Sequence, residues 1–326
     1  MTATAKKTKT KLTTTNALEN VVLAVNENAT SIESIKLMSP KECEVMKTIA
    51  SYYADTENTR EVRKRVADFV NQLDGAEKGG LLVITGETGV GKTTTLNKAI
   101  AWDLSETGGV PDEKVLKVVV PSNCSVRGLA VALLDAMNDP AATRQITRWD
   151  LTGRAHKIIT ARKYRAIILD ECQHMIESST KAVIQEVSDW LKTLVENTGV
   201  PVVLCGLPQI QTIIESNKQL KRRVVGNIEM TPFDWANHDQ RMDFKVFLKR
   251  LEEALPFKPA GLNEDRVARK LHYLSGGNIG FLWRLLYRAA EMTIVRGYDQ
   301  LQYHVIGEAF EELRGSAEAE MQNVFA

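Results

Sequence analysis

The residues best placed to do chemistry form one stretch, Gly86-Glu87-Thr88-Gly89-Val90-Gly91-Lys92-Thr93. It fills every fixed position of the pattern G-x-x-x-x-G-K-[ST]. The spacing has a physical reason. Glycines let consecutive backbone N–H groups turn inward around phosphate oxygens, and a helix starting at the lysine adds its partial positive charge. Residues Gly86 to Thr93, with Thr94 behind them, are therefore expected to cradle a nucleoside triphosphate. Lys92 would reach the β- and γ-phosphates, and the Thr93 hydroxyl would hold Mg²⁺.

A second chemical group stands about eighty residues on, at Ile167-Ile168-Leu169-Asp170-Glu171. An aliphatic strand ending in two acids places both at the carboxyl edge of a parallel sheet, beside the phosphate loop. Asp170 would secure Mg²⁺ through its water shell, and Glu171 would orient or deprotonate the attacking water. That pair favours hydrolysis over transfer to a small molecule. No N-K-x-D stretch is present to read guanine, since Asn217-Lys218-Gln219-Leu220 lacks the acid, so ATP is the expected nucleotide. Arg222 and Arg223 follow in Lys221-Arg222-Arg223, between a helix and the fifth strand-like run. One of them could reach a nucleotide held by a neighbouring subunit, or both could be a solvated basic helix end.

The elements that must position these groups alternate. Apolar strand-like runs occur at 81–85, 115–120, 166–170, 201–205 and about 226–230, with helical stretches at 92–105, 125–137, 150–162, 179–197 and 208–217. Continuous aliphatic strands between helices predict an α/β fold with a parallel sheet buried on both faces. Upstream, Ser39-Pro40 with Glu42 predicts a helix to about residue 54, and Val62, Val66, Phe69, Val70 and Leu73 give a second one an apolar face. Downstream of Pro232 four helical segments follow, at about 238–254, 262–274, 280–296 and 302–313. The expected division is a flexible tail and docking segment over 1–38, an α/β ATPase core with a helical extension over 39–236, a helical lid over 237–314, and a flexible tail over 315–326.

Composition removes several function classes. Lys and Arg number 42 against 41 Asp and Glu, for a net charge of +1, so any binding to nucleic acid must come from a local basic surface. The four cysteines, Cys43, Cys124, Cys172 and Cys205, contain no C-x-x-C pair and fit reduced thiols in a cytoplasm. No apolar run has the length of a membrane span, and no membrane association is expected. Leu274-Ser275-Gly276-Gly277-Asn278 is close to the L-S-G-G-Q signature of transporter ATPases. It follows the acidic strand instead of preceding it, and that reading is rejected.

The order of these motifs over residues 56–312 resembles that of AAA+ ATPases: a Thr59-Arg60-Glu61 helix, phosphate loop, Asp-Glu strand, basic helix end and helical lid. The resemblance implies sheet order 5-1-4-3-2, assembly into rings or helical filaments with ATP between subunits, and a nucleotide contact from Arg60. Two positions depart from the pattern. Cys205-Gly206-Leu207-Pro208 lacks the polar residue usual at the end of the fourth strand. Gly277-Asn278-Ile279-Gly280 aligns with G-x-P-R, so Gly280 stands where a lid arginine is usual, and Arg284 one turn later could substitute. Slow, switch-like, oligomerisation-dependent hydrolysis is the expectation.

Within AAA+, the V-x-L-C-G-L-P and S-G-G-N-I-G-x-L stretches resemble the TnsC/TniB branch of transposition regulators, related in role to phage Mu B protein. That resemblance implies ATP-dependent oligomerisation on double-stranded DNA, contact with a TniQ-type target-selection protein and recruitment of transposase subunits. It places DNA against Ser122, Asn123 and Arg127, and against Arg144, Arg148, Arg154 and Lys157. Trp149 among them could be an interface aromatic or a core residue. The alternatives are a replication initiator or helicase loader, which usually carries a winged helix where only residues 314–326 follow here, and a nucleotide-dependent protein-interaction switch without DNA.

Overall fold

A computed structural model describes residues 39–51, 53, 55–76, 78–105, 112–122, 124–143, 147–177, 180–315 and 321–325. The expected tail over 1–38 lies outside them, as do Asn123 and Arg144.

Five strands form one parallel sheet: β1 Leu81–Gly86, β2 Val115–Val119, β3 Ala166–Asp170, β4 Val202–Gly206 and β5 Val224–Met230. Their spatial order is β2-β3-β4-β1-β5, which is the expected 5-1-4-3-2 read from the other side. Registers such as Val83 with Leu204 and Leu204 with Leu169 bring the three central strands to a common carboxyl edge. Alternation decides which layer each side chain joins. Leu81, Val83, Ile167, Leu169, Val202 and Leu204 face one side. There they pack on α4 (Val126–Ala136), α5 (Arg148–Ala161) and α6 (Lys181–Thr198). Leu82, Ile84, Ile168, Val203 and Cys205 face the other, against α2 (Glu57–Leu73) and α3 (Lys92–Lys98). A sheet covered on both faces has no polar side, and its central strands therefore read as unbroken aliphatic runs.

Local signals set the ends of these helices. Ser39 and Glu42 exchange backbone-to-side-chain hydrogen bonds at the start of α1 (Pro40–Ser51). Thr56 and Thr59 form a reciprocal capping box on α2, so that helix begins at Glu57. The expected helix over 92–105 is α-helical only through Lys98. It widens into a π-helical turn over Ala99–Asp103, closed by Leu104 N–H donating to Ala99 O at 2.9 Å.

Two short helices, α7 (Gln211–Ser216) and α8 (Lys218–Lys221), lead into β5. The lid follows as α9 (His238–Ala254), α10 (Asp265–Ser275), α11 (Ile279–Arg296) and α12 (Tyr303–Leu313). Its core holds Phe244, Leu248, Leu271, Leu285 and Phe310, and also Met46 and Ile49 from α1. The first helix therefore packs with the lid. At the C-terminal stretch, expected to be flexible over 315–326, residues 321–325 pack there as well. Phe325 is buried, Lys270 reaches over its ring and donates to Val324 O, and Asn323 donates to Gly307 O. Among the described residues no helix is long and apolar enough to cross a membrane.

One buried group makes stability depend on pH. His156 on α5 is 9% exposed, its Nε2 has no partner, and burial holds its pKa below the usual imidazole value. The unfolded chain then binds the proton better than the folded one, so stability rises with pH through this range. We expect the melting temperature to fall as pH drops below about 6.5, and His156→Gln to flatten that dependence in a pH series of thermal melts.

Candidate functional site

The phosphate loop rises from β1, whose six residues are all buried, and enters α3 through Gly91. Gly89 and Gly91 have φ of 84° and 92°, the left-handed region that turns the backbone back on itself. Lys92 Nζ donates to Gly86 O at 2.7 Å and to Glu87 O at 2.9 Å, which folds its ammonium over the loop. Thr93 is half-buried behind it and Thr94 is exposed.

Asp170 ends β3 at 1% exposure. Its Oδ1 accepts from Glu171 N at 3.0 Å, whereas Oδ2 is buried without a hydrogen bond and lies 3.1 Å from Lys117 Nζ. Lys117 projects from β2 and also donates to Asn97 Oδ1 at 2.6 Å. A buried carboxylate oxygen with no hydrogen bond suits a divalent cation. Glu171 follows in the left-handed region at φ 60°, and its carboxylate accepts a hydrogen bond from Gln173 Nε2. Burial pushes the Cys124 thiol up to about 11, and those of Cys172 and Cys205 higher still.

The lid closes this site through backbone contacts. Gly280 N–H donates to Gly89 O at 2.7 Å, and Asn278 Nδ2 donates to Thr88 O at 2.8 Å. Asn278 Oδ1 meanwhile caps α11 by accepting from Phe281 N at 3.0 Å. A Cβ at Gly280 would stand 2.7 Å from Gly89 Cα, so no larger residue fits while the lid is shut. Between lid and loop lies a cleft of about 210 Å³ with an apolar wall of Tyr53, Phe247, Leu251, Ile279 and Trp283, and with Thr59, Thr94 and Thr95 on its polar side. The sequence reading missed that wall. Its one trace is i, i+4 spacing on two lid helices, Phe247 with Leu251 and Ile279 with Trp283, which core packing also produces.

Several expected site residues lie elsewhere. Arg60 is tied to Asp55 at 3.2 Å and Glu57 at 2.5 Å, and the same helix presents Thr59 to the cleft in its place. Arg284 is exposed, with its guanidinium 5.6 Å from the Phe281 ring and outside the cleft wall. Arg222 is exposed at the end of α8, whereas Arg223 pairs with Glu196 at 3.0 Å. Leu81 N donates to Arg223 O, which puts both at the amino edge of the sheet. That is about 17 Å, one strand length, from this chain's own phosphate loop.

The residues expected to meet DNA are split. Ser122, Arg127 and Arg148 gather at the carboxyl edge, where α4 and α5 both begin. Arg148 is held to Glu186 at 3.1 Å and stacks 5.0 Å from the Trp149 ring, which is 73% exposed and not a core residue. Arg154 lies farther along α5, bound to Asp139 at 2.7 and 2.9 Å, and Lys157 is exposed beyond it.

Similarity to known proteins agrees with this architecture. A family model described as AAA domain matches residues 74–214. General secretion pathway protein A of Aeromonas hydrophila is 25% identical over 250 residues, which cover 73% of this chain and 41% of that protein. The chain thus spans about two-fifths of that relative's length. Among solved structures, the ORC2 protein of Aeropyrum pernix in ADPNP–ADP complexes superposes with a TM-score of 0.62 at 16% identity, covering 85% of this chain and 74% of that one. The ORC1 protein of the same organism in complex with DNA gives 0.59 at 17% identity, covering 82% and 69%. Likeness at such identity speaks for the fold.

Substitutions at the loop and the lid should separate. Lys92→Ala is expected to abolish detectable binding of a fluorescent ATP analogue without lowering the melting temperature. Gly280→Ala should open the lid and weaken the same binding about tenfold or more, because the added methyl group meets backbone that cannot yield. Sheet order, lid and phosphate loop converge on one conclusion: the chain has the AAA+ fold, with the phosphate loop between its first strand and the helix that follows.

Proposed function

We propose that this protein is an ATPase that assembles on double-stranded DNA under the control of ATP, in a role of the replication-initiator or helicase-loader kind. The observation that carries this reading is the likeness, through both the α/β core and the lid, to ORC proteins, one of them solved in complex with DNA. In this reading Lys92 and the loop N–H groups hold the phosphates, the apolar cleft wall holds the base, and Glu171 activates water. Thr93 and Asp170 hold Mg²⁺, which when bound neutralises charge on the phosphates. Arg222 is too far to serve its own nucleotide, which favours action on that of a neighbouring subunit. DNA lies across the carboxyl edge at Ser122, Arg127 and Arg148.

A second reading is a regulator of transposition that links a TniQ-type target-selection protein to transposase subunits. The lid hinge favours it. Its Asn278-Ile279-Gly280 stretch grips the phosphate loop where a γ-phosphate-sensing arginine is usual, an arrangement suited to a slow switch. The two readings differ in cargo. Retention of a replicative helicase by the ATP-bound, DNA-bound protein supports the first, and retention of a transposase supports the second.

Glu171→Gln should keep ATP and remain assembled on duplex, seen as a persistent high-mass species in mass photometry. Rapid disassembly of that variant after ATP addition would contradict the role given to Glu171. Fluorescence anisotropy over a salt series checks the DNA surface. Arg127→Ala should flatten the log–log slope by about 0.9, the share of one phosphate contact. Arg154→Ala, whose guanidinium is already committed to Asp139, should leave the slope unchanged. A slope of zero for the native protein would remove DNA from the account and leave a nucleotide-dependent protein switch.

A further inference from the structure

The end of β4 lacks a polar side chain, since Cys205, Gly206 and Leu207 occupy it. A polar group nevertheless stands there, and it comes from a different element. Gln173 lies in the 3₁₀ turn Cys172–Met175 that follows Glu171, and it is 9% exposed. Its side-chain Nε2 donates to the Glu171 carboxylate, and its Oε1 accepts from Leu207 N at 3.2 Å. One amide therefore joins the acid after β3 to the backbone after β4.

We infer that Gln173 is the positioning residue for the hydrolytic carboxylate, aiming Glu171 by fastening it to the end of the fourth strand; this rests on Glu171 being the group that activates water.

Three features of the geometry make the assignment specific. The amide uses both of its ends, each in the only sense that its partner accepts. A carboxylate takes hydrogen bonds and a backbone N–H gives them, so a flipped amide would face acceptor with acceptor and donor with donor. The space for it depends on Gly206. A Cβ there would stand 2.6 Å from Gln173 Oε1 and 3.1 Å from the backbone nitrogens of Cys172 and Gln173. Finally, Glu171 holds a left-handed backbone conformation that a residue with a side chain adopts only where its surroundings impose it. With the backbone turned there, the carboxylate depends on a second contact for its direction, and Gln173 gives it one. A carboxylate held by a single buried donor has fewer orientations to lose when it must meet a water beside the phosphate.

The consequence is a link between the ends of β3 and β4. A shift at the end of β4 moves Leu207 N, hence the amide, hence the acid. Gln173→Met keeps the volume and gives up both hydrogen bonds. It should lower kcat by about ten- to a hundredfold while KM for ATP and the affinity for a fluorescent ATP analogue stay within about twofold. Gly206→Ala, which crowds the amide from the other side, should give a loss of similar size, and the double variant should be no slower than the worse single one. Turnover by Gln173→Met at the native rate would overturn the inference, and so would fully additive losses in the double variant. Should Glu171→Gln itself hydrolyse ATP normally, the assignment of Glu171 fails first, and that outcome is distinguishable from a failure of Gln173 alone.

Discussion

The contact on which the rest of this molecule depends is a pair of hydrogen bonds between the lid and the phosphate loop. Gly280 N–H meets Gly89 O, and the Asn278 side chain meets Thr88 O. Both acceptors are backbone carbonyls of the phosphate loop. The lid thus reads the shape of the loop itself. Because α11 starts at Asn278, the residue that caps the helix is also the one that grips the loop, so the position of the lid is tied to the integrity of its own first turn. The hinge is secured from behind: Phe233 N–H donates to Gly277 O, and the His272 ring contacts Phe233 O at 2.7 Å. Closing the lid brings Ile279 and Trp283 over the cleft and completes its apolar wall.

Charge inside the site is arranged around one carboxylate. Asp170 is almost fully buried, and an ionised group at that depth needs a partner. Lys117 supplies one from the neighbouring strand and is itself steadied by Asn97. A divalent cation at Asp170 would compete with that ammonium for the same oxygen. Farther out, arginines that look available in the sequence are committed. Arg60, Arg154 and Arg223 each face an acid, and their charges serve the fold's own contacts. The near-neutral net charge of the chain has this local counterpart: much of its basic surface is paired.

Much of the fold was legible in the sequence because it rests on short-range physics. Aliphatic runs of five or six residues, too short for an ordinary helix and set between longer periodic stretches, read as buried strands, and the glycines and lysine of the phosphate loop stand within eight consecutive residues. Asp170 and Glu171 were found for the same reason, as a strand end in a parallel sheet. The lid helices were legible from their period. What did not show was every relation that joins distant segments. Arg60 and Thr59 are adjacent in the chain, yet only packing of α2 decided that the threonine faces the cleft and the arginine faces Asp55. Phe325 reads as the end of a polar tail until α10 and α12 present a surface for it.

The sequence by itself determined the chemistry that this protein can perform: a triphosphate cradle, an acidic strand end and the sheet to carry them, since each depends on residues that are neighbours in the chain. The tertiary structure decided how that chemistry is held. It placed Gln173 between Glu171 and Leu207, Lys117 beside Asp170, and Gly280 against Gly89, pairs drawn from separate elements whose approach is fixed by strand order and lid closure. Local pattern records what a segment prefers, whereas a contact across 34 or 191 positions depends on how whole layers pack, and that information is spread over the entire core.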